Sequence, residues 1–135
     1  MHDLICPFSA TLVRNDYGCA RARQVIRRGG TEFVCDSSAA HDRCRTCFAS
    51  CKQVTLEHLG LEDDLTVVPQ ATLVKVQFGG LAGLQRITAP DTVRIDNIDN
   101  LLEHALERFG SVQEIPYPAL LEDINGYRMP RRRNR

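Results

Sequence analysis

Cysteine is the residue type here with the most chemistry to offer. Six occur at Cys6, Cys19, Cys35, Cys44, Cys47 and Cys51, and the last 84 residues hold none. As thiolates they could bind a soft metal or exchange electrons, whereas as thiols they pack like small hydrophobes. Spacing separates the two roles in part. In "HDRCRTCFASCKQ", Ala40, Cys44, Cys47, Cys51 and Val54 follow one another at steps of four, three, four and three. That is the apolar seam of a helix. On an intact helix Cys44 and Cys51 would start roughly 10 Å apart along the axis. One zinc ion, with sulfurs at about 2.3 Å, could not take both. Cys47 and Cys51 therefore read first as core and second as ligands.

Cys44 stands near the start of that helix, where the dipole favours an anionic thiolate. Cys19 has a similar place in an earlier candidate helix, while Cys6, beside Pro7, and Cys35, beside Asp36, fall in candidate loops. Cys6, Cys19, Cys35 and Cys44 thus form a four-thiolate set with gaps of 12, 15 and 8 residues, bringing donors from separate elements to one point. Four thiolates suit an iron–sulfur cluster, [4Fe–4S] by this count, or a structural zinc. Zinc would favour two C-x₂-C knuckles, and the chain has one. His41, one turn before Cys44, is a further candidate ligand. Arg14, Arg21, Arg23, Arg27, Arg28, Arg43 and Arg45 would offset the negative charge of a cluster. A third reading takes Cys44 and Cys47 as a C-x-x-C thiol redox pair, although their helix begins about six residues early for that motif. Ferredoxin-type runs are absent, because position 52 is lysine.

The elements that would position these groups follow from pattern. At 135 residues, with 43% hydrophobic and 25% charged residues, the chain reads as one α+β domain over residues 1–127. Residues 1–59 would be the cysteine-bearing segment, a loop and helix region packed on a short sheet, and 60–127 a cysteine-free scaffold ending in two helices. Caps predict helices over 17–28 and from Ser37 or Ser38 to Gly60, with "TEFVC" extended between them. Val74, Val76 and Phe78 alternate with Lys75 and Gln77, which predicts a strand after one interrupted at Pro69. "FGGLAGLQ" then reads as a tight turn, and "TVRID" as another strand. Ile98, Leu101, Leu102, Ala105, Leu106 and Phe109 share the face of a helix from Asn97 to Gly110, and "PALLEDINGY" predicts a last short one.

Net charge is zero, but residues 1–52 carry +3, residues 53–127 carry −8, and the tail "RMPRRRNR" carries five arginines. The tail reads as a basic, disordered end. Aromatic residues do not interleave with the basic ones and tryptophan is absent, which speaks against a base-stacking nucleic-acid surface. No apolar run is long enough to cross a membrane. The start "MHDLICPFSATLVR" has no basic segment of a secretion signal, so a cytoplasmic location and reduced thiols are expected. No nucleophile elbow, phosphate-binding glycine loop or calcium loop is present, so an enzyme is not expected. The leading expectation is a small iron–sulfur protein that transfers electrons or senses redox state with a redox partner protein. The alternative is a protein-binding or assembly module, stabilised by zinc or free of metal.

Overall fold

The computed structural model describes residues 4–61, 68–90 and 94–128. It is a small α+β domain in which the cysteine-bearing N-terminal region packs on a two-stranded sheet, with helices completing the C-terminal part. Helix α1 (Ser9–Val13) leads into a loop, then strands β1 (Ala22–Arg27) and β2 (Gly30–Cys35), then α2 (Ser38–Leu59), α3 (Gln70–Thr88) and α4 (Ile98–Phe109). Two 3₁₀ turns, Val112–Glu114 and Tyr117–Leu120, and the short α5 (Leu121–Gly126) close it.

Helix α2 starts and stops where its capping residues dictate. Ser37 is extended and its hydroxyl accepts the Ala40 N–H at 3.2 Å, while Gly60 ends the helix in the left-handed region at φ +70°. Helix α4 likewise runs between Asn97 and Gly110. "TEFVC" lies in β2, whose first residue, Gly30, has φ +124°.

Two elements differ from expectation. Residues 17–28 do not form a helix; 22–27 are β1, paired antiparallel with β2 so that Ala22 faces Cys35 and Arg27 faces Gly30. Val25 and Ile26 are β-branched, so local propensity favours a strand there, and Arg28–Gly29 makes the turn to β2. Residues 70–88 are one helix, not strands around Val74–Phe78. Helix α3 is the centre of the molecule, packed against α1, α2, α4 and α5. A helix covered on several sides loses the one-faced periodicity by which helices are recognised.

The glycines of "FGGLAGLQ" lie within α3 and form no turn. A Cβ on Gly79 would stand 2.5 Å from the Ile124 Cα, and one on Gly80 would stand 3.1 Å from the Cys51 sulfur. These glycines let α5 and α2 approach the central helix closely. Residues 94–96 of the expected "TVRID" strand are not extended in a sheet, and its remaining residues, 92 and 93, lie outside the described ones. The same holds for Asp91, for residues 62–67 and for the tail from residue 129.

Candidate functional site

Four separate elements carry the first four cysteines to one place. Cys6 lies on a short extended segment bridged to β2: its N–H donates to the Phe33 carbonyl, and the Cys35 N–H donates to the Leu4 carbonyl. Cys35 ends β2 and Cys44 lies two turns into α2. Cys19 is held by the segment that leads into α4. There the Gly18 N–H donates to the Ile95 carbonyl, the Ile98 N–H to the Gly18 carbonyl, and the Ala20 N–H to the Asn97 side chain at 3.0 Å. Gly18 is required at that crossing, because a Cβ would stand 2.6 Å from the Asp96 carbonyl oxygen.

Cys6, Cys19, Cys35 and Cys44 line one pocket together with His41 and Asp99. Its enclosed volume is about 10 Å³, roughly what one water needs. Burial pushes the Cys6 thiol up to about 12 and raises Cys35 and Cys44 as well, each further raised by the neighbouring sulfurs. The Cys35 thiol donates to the Ser37 carbonyl at 3.3 Å. At neutral pH these groups are thiols. The helix N-terminus does not make Cys44 a thiolate, because desolvation outweighs it there.

The metal expectation is therefore corrected. Among the described residues no group of three or more histidine, cysteine, aspartate or glutamate side chains is arranged to hold a metal ion. Cys6, Cys19, Cys35 and Cys44 share a pocket without forming the ligand set of a [4Fe–4S] cluster or of zinc. The electron-transfer, redox-sensing and metal-binding roles built on that set fall with it. His41 is engaged elsewhere, its Nε2 lying 3.1 Å from the Ile5 carbonyl, so that it fastens α2 to the bridging segment. Cys47 and Cys51 are fully buried between α2 and the rest of the core. Hydrogen bonding to Cys51 and then burial raise the Cys47 thiol. All six cysteines are free, so Cys44 and Cys47 form no disulfide.

Asp99 was hidden from sequence reasoning. Its position in the first turn of α4 looks like ordinary capping, yet its side chain is buried and accepts from Arg43 Nη2 at 2.6 Å and from Arg21 Nε at 3.4 Å. The ion pairs join α4, α2 and the base of the hairpin. Arg14 and Arg45 have acidic neighbours of their own, Asp16 and Asp42. No pattern in the sequence marks it out, because an acidic residue in the first turn of a helix is ordinary.

What remains exposed is the hairpin. Among the described helices and strands, β1 runs beside β2 only, with Ala22 at its base reaching the core, whereas β2 also meets α1 and α2. Ile26 is 82% exposed, well above the other exposed large hydrophobic residues Ile5, Val13 and Leu59. Arg21, Arg23, Arg27 and Arg28 lie within five residues of it in sequence, and residues 17–31 contain no acid. No helix of the described residues is long and apolar enough to cross a membrane. No family model, curated protein or solved structure matches the chain, so the fold and this surface are what define its class: a small α+β domain presenting a basic hairpin.

Proposed function

We propose that this chain is a protein-binding or assembly module in which the six cysteines pack as thiols. The observation that carries the reading is the hairpin. Its base is fastened by Ala22 and Phe33 against the core and by Arg21 to Asp99, while its tip offers Ile26 to solvent. A single exposed isoleucine is ordinary on a protein surface. Ile26, however, lies on an exposed two-stranded hairpin rich in arginine, and an exposed strand edge is a ready template for pairing with another chain, which supports contact with another protein. The role is binding, with no catalysis assigned. Six free thiols suit a reducing compartment, the cytoplasm.

The test is site-specific crosslinking in cells, with a photoreactive amino acid replacing Ile26 in one variant and Leu59 in the other. Leu59 is also exposed, but lies at the end of α2 away from the hairpin. Discrete protein adducts through position 26 and none through position 59 are expected. Equal labelling at both, or none at 26, would refute the reading.

A further inference from the structure

The two edges of the hairpin are not equivalent. The outer edge of β2 is occupied by the segment around Ile5, through the hydrogen bonds of Cys6 and Cys35. Among the described residues the outer edge of β1 has no such cover. The register fixes which groups it presents. The Asp36 N–H donates to the Arg21 carbonyl, so residues 21, 23, 25 and 27 pair inward with β2. Backbone N–H and C=O groups at Gln24 and Ile26 therefore point away from β2. Among the described residues no backbone group from outside the hairpin is bonded to either. Side chains alternate in the same way, placing Arg23, Val25 and Arg27 on one face and Gln24 and Ile26 on the other.

We propose that the outer edge of β1 takes an extended acidic peptide segment of a partner protein as an added antiparallel strand, which rests on the module reading above and names its partner. The partner's backbone would meet Gln24 and Ile26. Read from its N-terminus, its side chains would run acid, apolar, apolar, any residue, acid, facing Arg27, Ile26, Val25, Gln24 and Arg23 in turn. Main-chain pairing supplies affinity in such a complex, and the alternating side chains supply specificity.

Charge decides against the other occupants. Two β1 edges paired antiparallel over their full length would set Arg23 of each copy opposite Arg27 of the other, and like charges facing across strands repel. A nucleic-acid strand would find arginines, but the exposed hairpin positions carry no aromatic ring to stack a base, and Phe33 is packed on the core. An acidic strand complements the basic charge of the hairpin, pairs the open backbone groups and covers Ile26 at once.

The experiment uses the full chain and three probes: the blocked peptide TEVVTET, its lysine counterpart TKVVTKT, and single-stranded oligothymidylate. Affinity is read by fluorescence anisotropy and the contact by amide chemical shifts. TEVVTET is expected to bind, to move the Gln24 and Ile26 amides, and to weaken about tenfold from low to high salt. The double variant Arg23→Glu with Arg27→Glu should bind TKVVTKT in preference. Ile26→Pro removes an outward N–H without touching the β1–β2 ladder, so it should abolish binding while the Arg23 and Val25 amides stay protected. Equal binding of both peptides, preferential binding of the oligonucleotide, or TEVVTET binding with the Gln24 and Ile26 amides unmoved would each overturn strand addition. Those results would leave the module reading to its crosslinking test, which fails separately if position 26 gives no adduct.

Discussion

Replacing Gly79 by alanine tests whether close approach to the central helix holds this fold together. In an exposed helix the change would stabilise by about 1 kcal/mol, because glycine is the costlier residue there. At Gly79 the new Cβ would meet the Ile124 Cα at 2.5 Å and the Asp123 carbonyl oxygen at 2.7 Å. Both are backbone atoms, so no rotamer change relieves the contact. Ordinary separation requires α5 to withdraw by about 1 Å, loosening the packing around Leu120 and Ile124, both fully buried. Overpacking of this kind costs about 1–3 kcal/mol, and a forced backbone shift belongs at or above the upper end. After the propensity gain, a net loss of about 2 kcal/mol remains, or a fall in Tm of about 8 °C at about 4 °C per kcal/mol for a chain of this size. Gly126→Ala is the internal control, since its Cβ would meet nothing within 4 Å and its φ is not positive. It should raise Tm slightly by restricting the unfolded chain. Thermal unfolding by circular dichroism measures both. A Gly79→Ala protein as stable as Gly126→Ala would refute the packing argument.

Asp99→Asn should cost about 2 kcal/mol in urea unfolding, because it leaves Arg43 and Arg21 without their shared anion; Asp42→Asn, in an exposed pair with Arg45, should cost under about 0.5 kcal/mol. Alkaline pH should destabilise the protein. Cys6 is raised from the ordinary thiol value of 9.0 to about 12, so its contribution is complete below pH 9 and is lost as pH climbs toward 12, with Cys44 and Tyr117 shifted the same way. Chemical denaturation at stepped pH measures this, and constant stability across that interval would contradict the buried thiols. At neutral pH a chelator should leave Tm unchanged, and a marked fall would contradict their assignment as unligated thiols.

Where a segment meets the core on one face, its sequence told its structure. Helix α4 has one apolar side and cap residues at both ends, and α2 has Ser37, Gly60 and a seam of small buried residues from Ala40 through Cys51. Helix α3 misled because Val76, Phe78, Leu81 and Leu84 are all buried, against several neighbours, so no single face marks the period. Strand β1 misled for the opposite reason: little of it is buried, and a helix read from Asn15 or Asp16 as cap to the Gly29–Gly30 stop outweighed the β-branched pair Val25 and Ile26. At the site, cysteine spacing implied convergence, and the four elements do converge on one pocket. Convergence is not ligation. Whether sulfurs bind a metal depends on their arrangement within a few tenths of an ångström and on their protonation, and neither is written in the intervals between them.

The division of charge along the chain gains a meaning once the hairpin is treated as the docking element. Residues 53–127 carry −8, and they build the body through α3, α4 and α5. The four arginines of residues 21–28 stand at the other end of the charge range, on the element least covered by that body. The arginines of the hairpin would attract an acidic strand toward the edge where backbone groups are open. Asp99 keeps that arrangement from collapsing inward. By taking Arg43 and Arg21 at the base, it anchors the hairpin to α2 and α4 while Arg23, Arg27 and Arg28 remain exposed toward the tip. Loss of Asp99 would therefore weaken peptide binding as well as stability, by freeing the hairpin base to move, even though its carboxylate touches no part of the edge itself.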